Sequence, residues 1–221
     1  LALFSDIHGN LTALDAVLAD IQAQGGVDQY WILGDLVAIG PSPVAVLDRI
    51  HTLGNTRCIR GNTDTYTCTD KRPPPTAEDV RKNPARLTQF AEVTHGFGWT
   101  QGAITQGGYF DWLAALPLTI AETLPDSTRI LACHASPYAD DGIGFRRDLS
   151  PEQLDVVLGN ADADLFFGGH HHLTLDIEVN GRRIVNLGSL SNHVLPEIHA
   201  SYVLLEADAA STTTSRKSSG K

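Results

Sequence analysis

The chain has 221 residues, 42% of them hydrophobic and 19% charged, the composition of one globular domain with its own core rather than of a disordered segment. Its formal net charge of −10 excludes a broad basic surface, so no stable complex with duplex nucleic acid is expected. No apolar run approaches the ~18 residues of a membrane span, so no membrane partner is expected.

No segment reads as a signal peptide, in a sequence that starts at Leu1 and contains no Met. Cys58, Cys68 and Cys133 lack metal-knuckle spacing and leave an odd count, which fits a reducing cytoplasm.

In chain order, LALFS predicts a short buried strand, and Leu11, Leu14, Val17, Leu18 and Ile21 then recur at helical spacing until Gly25 and Gly26. QYWILGD predicts a second strand ending in Gly-Asp, followed by a turn at Gly40 and Pro41 and a helix near Pro43 to Leu53. TRCIRGN repeats the pattern, and three such strand–loop–helix-like units argue for an α/β architecture with parallel pairing. Residues 70–110, which begin with KRPPPT, read as a mostly helical lid over one end of the sheet, and GYFDWLAAL as a helix ending at Pro117.

Strands resume with STRILACH, DLFFGGH, TLDIEV, RRIVNLG and SYVLLEA. Asn180-Gly181 between two of these runs predicts a type I′ hairpin, because both residues tolerate positive φ. The second half is therefore expected to be antiparallel or mixed. The tail from Ala209, rich in Ser, Thr and Lys, reads as a flexible end (209–221), which leaves residues 1–208 as a single domain.

Polar residues gather at the carboxyl ends of these strands. Asp6 and His8 follow LALFS, Asp35 follows WILG, Asn62 follows CIRG, His134 follows ILAC, and His170 and His172 follow DLFFGG. Carboxyl ends of parallel strands share one edge of an α/β sheet, where ligands bind. Each residue alone has a plain alternative: Asp6 and Asn10 as helix caps, Asp35 and Asn62 as turn residues, His134 as a core histidine. Their joint placement is what points to a metal site. Two carboxylates, four imidazoles and one carboxamide suit Mn²⁺, Fe²⁺, Zn²⁺ or Co²⁺. Seven ligands exceed one tetrahedral ion and suit two ions sharing a carboxylate.

The series DIHGN, GDLV, GNTD, CHAS, GGHHH and NLGSL, in that order, resembles the calcineurin-like metallophosphoesterase superfamily, in particular its small bacterial and archaeal phosphodiesterase-like members. The resemblance implies a four-layer α/β/β/α sandwich of two mixed β-sheets flanked by helices. It also implies a metal-dependent phosphodiesterase or nucleotide phosphohydrolase with two divalent ions. Asp6, His8, Asp35 and His172 would hold one ion. Asp35 would bridge, and Asn62, His134 and His170 would complete the other. A hydroxide shared between the ions would be the nucleophile, and a small phosphate ester or nucleotide the substrate.

One departure is Thr63, which stands where many members have the histidine of Gly-Asn-His. That histidine is assigned to protonating the leaving group or stabilising the transition state, and Thr63 cannot act as an acid at neutral pH. The alternative reading is a phosphoesterase-like binding or scaffold protein with weak or no catalysis. Asp64 would orient a ligand histidine or cap a turn. Asn10, Thr63, Arg60 and His193 are candidate substrate contacts, as are Arg146 and Arg147, and His95 and His193 are candidate substitutes for the missing acid. NLGSL would lie near the substrate, with Gly188 allowing a close backbone approach. A serine hydrolase is excluded because Ser136 lies in no G-x-S-x-G elbow, and a zinc protease because there is no H-E-x-x-H.

Overall fold

The computed structural model describes residues 1–192 and 199–220. Three short parallel strands, β1 (Ala2–Phe4), β2 (Tyr30–Leu33) and β3 (Thr56–Ile59), form the first sheet with β9 (His199–Ala207) and β10 (Thr212–Gly220) in the order β10-β9-β1-β2-β3. The second sheet has the order β4-β5-β6-β8-β7, with β4 (Thr119–Thr123), β5 (Arg129–Cys133), β6 (Leu165–Gly168), β7 (Leu175–Val179) and β8 (Arg182–Asn186). Here β5, β6 and β8 run parallel and the two edge strands antiparallel, so the second half is mixed, as expected. Asn180 and Gly181 join β7 to β8 with φ of 52° and 73°, the two positive values a type I′ turn requires.

Alternation along the strands sorts side chains into layers. Leu3, Trp31, Leu33 and Ile59 of the first sheet meet Ile120, Ile130, Leu165, Phe167 and Val185 of the second in a core between the sheets. Phe4 and Ile32 turn the other way, onto α1 (Leu11–Ala23) and α2 (Pro43–His51). Phe166 and Ile184 likewise face Leu154 and Leu158 of α7 (Pro151–Leu158). The result is the four-layer α/β/β/α sandwich.

Between the two halves, α3 (Asn62–Cys68), α4 (Ala77–Lys82), a 3-10 turn at Pro84–Arg86, α5 (Leu87–Gln106) and α6 (Phe110–Ala114) make the helical insertion. Tyr66 of α3 packs edge-on against Phe97 of α5 at 5.7 Å, which ties the insertion to the end of β3.

Two short elements escape the hydrophobic pattern. TIAET of β4 exposes three of its five residues, and PEQLDVVL of α7 is barely two turns long. The tail corrects an expectation. Residues 212–220 are not a flexible end but pair antiparallel with all of β9, from Thr212 opposite Ala207 to Gly220 opposite His199. Polar composition argues against a core position, not against an edge strand; three consecutive β-branched threonines favour extended backbone, and β9 supplies the partners.

Phe167 is fully buried between the sheets. Phe167→Ala should lower unfolding free energy by about 3–5 kcal/mol in urea titrations. A change below about 1 kcal/mol would mean that the two sheets do not share this core.

Candidate functional site

The first sheet delivers Asp6, His8, Asp35 and Asn62, and the second His134, His170 and His172, all in the segments that follow β1, β2, β3, β5 and β6. Five of these seven residues have left-handed backbone: Asp6 at φ 58°, His8 at 50°, Asp35 at 55°, His170 at 74° and His172 at 58°. Such conformations are uncommon outside glycine and persist where the surroundings over-determine them. The bend turns each side chain off the strand axis and toward the shared edge.

Glycines make the crowding possible. A Cβ on Gly61 would fall on Asp35 Oδ1, and one on Gly169 would fall on Ser5 Oγ and 2.5 Å from Asp6 Oδ2.

The donors form two groups that meet at Asp35. In the first, Asp6, His8, Asp35 and His172 each place a donor atom within 4.8 Å of the others. His8 Nε2 lies 3.1 Å from His172 Nε2, 3.8 Å from Asp6 Oδ1 and 3.7 Å from Asp35 Oδ2. In the second, Asn62 Oδ1 lies 3.1 Å from His134 Nε2 and 2.8 Å from His170 Nδ1, and His134 Nε2 is 3.4 Å from Asp35 Oδ1. Asp35 thus turns one oxygen to each group.

Backbone contacts fix which ring nitrogen is left over for a ligand. Nδ1 of His8, His134 and His172 donates to the carbonyls of Ala38, Leu33 and Asn192 at 2.8, 2.7 and 2.7 Å, so Nε2 is the ring nitrogen turned inward in all three. His170 is reversed: its Nε2 donates to Gly142 O at 3.0 Å and Nδ1 faces inward.

The carboxylates are anchored as well. The Thr63 amide donates to Asp35 Oδ1 at 2.9 Å and the His170 amide to Asp6 Oδ2 at 3.1 Å. Asp6 Oδ1 is left buried with no well-aligned hydrogen bond although His172 Nε2 is 3.1 Å away. A buried carboxylate oxygen without a hydrogen bond, facing the Nε2 atoms of two imidazoles, is what a divalent cation would satisfy, and the N/O donor set fits Mn²⁺, Fe²⁺, Co²⁺ or Zn²⁺.

The charges are strongly coupled. Burial alone would raise the Asp35 carboxyl and lower the His134 imidazole. Their mutual attraction prevails, holding Asp35 well below the usual carboxylate range and raising His134 to about 10. Burial acts in the same way on Asp6 and His172 and is again outweighed by their pairing, which lowers Asp6 and raises His172. Burial, followed by the charge of His134, lowers His170.

Other sequence candidates fall in different places. Asn10 accepts the Ala13 amide at 3.0 Å as the cap of α1 and also lines the cleft beside His8. Thr63 is buried, with a hydroxyl that lacks a hydrogen-bond partner. Asp64 touches no ligand histidine through a hydrogen bond; its two oxygens accept the amides of Leu36 and Gly61, each at 2.9 Å, stitching the Asp35 loop to the start of α3. That is the capping role, and it acts on Asp35 through the backbone. Arg60 pairs with Asp140 at 3.2 Å and Arg146 with Asp148, while Arg147 and His95 are exposed. His193 lies outside the described residues.

The NLGSL segment does more than the sequence suggests. Asn186 donates to the carbonyls of Gly169 and Phe145, Ser189 Oγ donates to Asp6 O, and Ser191 Oγ donates to Ile7 O. Ser5 Oγ adds a bond to Leu33 O. These residues hold the ligand-bearing loops together, and Gly188 makes its close approach to Ser201 of β9. Only the cluster of small polar residues in NLGSLS signals this in the sequence.

Since His134 carries a proton up to about pH 10 and a ligand needs its Nε2 bare, cation binding must displace that proton. Calorimetric Mn²⁺ titrations in buffers of different ionisation enthalpy should show proton release at pH 7. Apparent affinity should climb roughly tenfold per pH unit for each proton displaced, levelling off only as pH approaches 10. Affinity independent of pH between about 6 and 8, with no proton released, would show that the donor centre binds the cation without giving up a proton.

The calcineurin-like phosphoesterase family matches residues 1–173. An uncharacterized protein of Methanocaldococcus jannaschii is 28% identical over 190 residues, covering 86% of this chain and 69% of its own length. A symmetrical bis(5'-nucleosyl)-tetraphosphatase of Erwinia tasmaniensis is 42% identical over 65 residues, and the match spans 29% of this chain and only 24% of that enzyme.

Among solved structures, a hypothetical protein of Pyrococcus horikoshii superposes with a TM-score of 0.80 at 20% identity, covering 100% of this chain and 87% of the other. A metallophosphoesterase of Sphaerobacter thermophilus superposes with a TM-score of 0.73 at 24% identity, covering 97% and 86%. Both share the fold. The chain belongs to the calcineurin-like phosphoesterase family.

Proposed function

We propose that the chain is a phosphodiesterase or nucleotide phosphohydrolase working at a centre of two divalent cations. One observation carries this reading: Asp35 turns Oδ2 to His8 at 3.7 Å and Oδ1 to His134 at 3.4 Å, the placement of a shared ligand. Asp6, His8, Asp35 and His172 would hold one cation, and Asp35, Asn62, His134 and His170 the other. Bound there, the cations supply activation of a water as nucleophile and neutralise the charge that builds on the phosphoryl oxygens.

The protein's own residues set the rest. Backbone carbonyls on Nδ1 keep Nε2 of His8, His134 and His172 aimed inward. Asn10, which lines the cleft beside His8, is the side chain we assign to a phosphate oxygen. Thr63 can donate a hydrogen bond but not a proton at neutral pH, so substrates whose leaving groups depart as stable anions are favoured.

The likeness to the tetraphosphatase is confined to 65 residues and supports the class of chemistry rather than that substrate. No helix among the described residues is long and apolar enough to cross a membrane, and all three cysteines are unpaired; we assign the chain to the cytoplasm on that chemistry.

A second reading, a phosphoesterase-like binding protein with little catalysis, is favoured by Thr63 alone. Bis-p-nitrophenyl phosphate with Mn²⁺ separates the two. Turnover should fall by more than about 100-fold in Asp35→Asn, because disturbing even a ligand's supporting partner costs about 10–100-fold. Wild-type turnover no higher than that of Asp35→Asn would favour the binding protein. Thr63→His should speed esters with alkoxide leaving groups by about 100-fold and nitrophenyl esters much less. Equal gains on both would remove leaving-group protonation from the account.

A further inference from the structure

Ile39 combines two features that seldom occur together. It is β-branched with φ at 84°, and it is 64% exposed, in a stretch where Leu36, Val37 and Ala38 before it are buried. The cause lies next door. Gly40 packs so tightly on His8 that a Cβ there would fall on the His8 carbonyl, while the Gly9 amide bonds Leu36 O and the Ser42 amide bonds Gly9 O, each at 2.9 Å. The loop is therefore locked to the ligand-bearing segment, and the Ile39 side chain is held out against its backbone preference.

It stands over a cleft of about 190 Å³, which it lines with His8, Asn10, Gly40, Pro41 and Asn192. Asn192 is also the residue whose carbonyl orients His172 at 2.7 Å. The cleft thus borders the first donor group at His8, and through Asn192 it is one hydrogen bond from His172. None of its described lining residues is Lys, Arg, Asp or Glu.

A phosphate at the donor centre places its substituents in the neighbouring space. A polyphosphate chain would need cationic partners there, which the described lining lacks, whereas an uncharged ring finds an isoleucine, a proline and glycine backbone. A cavity of about 150 Å³ holds one benzene ring, so this one holds a single ring or base.

Resting on the phosphoesterase reading, we propose that this cleft is the specificity subsite for one uncharged, ring-bearing substituent of the phosphate ester, an aryl group or nucleobase, with Ile39 as its apolar wall. Ile39 is a specificity residue here, not a ligand.

The test uses non-hydrolysable anions on the Mn²⁺-loaded protein, followed by calorimetry. Methylphosphonate reads the donor centre alone; phenylphosphonate adds the ring. Wild type should bind phenylphosphonate about tenfold more tightly than methylphosphonate. In Ile39→Gly, which relaxes the positive φ, and in Ile39→Asn, which tolerates it, the ratio should fall to about twofold, with methylphosphonate affinity unchanged in both. A ratio near one in wild type, or an unchanged ratio in both variants, overturns the subsite and leaves the phosphoesterase reading standing. Failure of methylphosphonate to bind at all overturns the phosphoesterase reading and the subsite with it.

Discussion

Burying the Asp35 carboxylate is the constraint around which the molecule is organised. The residue is 2% exposed, and a buried anion is tolerated only when hydrogen bonds and opposite charge replace water. The Thr63 amide and the His134 imidazole meet Oδ1, His8 meets Oδ2, and Gly61 is there because any side chain would occupy the place of Oδ1. These residues come from three strand ends, those of β1, β3 and β5. Strand register, the sheet-to-sheet core and the left-handed bends thus all converge on one carboxylate. The same logic repeats at Asp6, where the His170 amide and the Ser189–Ser191 turn brace the loop from the second sheet. Neither sheet forms the centre alone.

The clustered donor residues were legible in the sequence because their signal is positional: a polar side chain closing an apolar run, repeated from LALFS to DLFFGG. The architecture was legible because unbroken apolar runs mark strands buried on both faces, as in Leu3–Phe4 and Phe166–Phe167. What the pattern missed lacks such contrast. Strand β4 is half solvent-facing, α7 is too short to show a period, and β10 is polar on both faces and owes its order to β9. The supporting hydroxyls of Ser5, Ser189 and Ser191 were invisible for another reason. A serine that bonds a backbone carbonyl across 184 positions, as Ser191 does to Ile7, looks like any other loop serine until the chain is folded.

The arginines carry a related lesson about charge. Arg60 and Arg146 sit near the right motifs to read as phosphate contacts, yet each is engaged by a neighbouring aspartate, Asp140 and Asp148. In a chain of net charge −10, carboxylates are plentiful enough to claim nearby guanidinium groups before a substrate does. On the proposed reading, the counter-charge for a phosphate then comes from the cations held by the seven donors rather than from side chains. This fits the cleft at Ile39, whose described walls offer shape and apolar surface but no charge.

The strain at Ile39 follows from the same convergence on the donor centre. His8 needs a left-handed backbone to turn its ring inward, and Gly9, also left-handed at φ 65°, carries the chain on toward α1. The loop after Asp35 must then lie flat on this segment, which it does through Gly40 on the His8 carbonyl. Once Gly40 is pinned there, little room remains to relax the residue before it. Positive φ at Ile39 is therefore a consequence of the backbone geometry at His8, and it leaves an apolar side chain standing beside the centre. A mutation that loosened Gly40 would loosen His8 as well, whereas a substitution at Ile39 that leaves Gly40 pinned changes only the wall of the cleft.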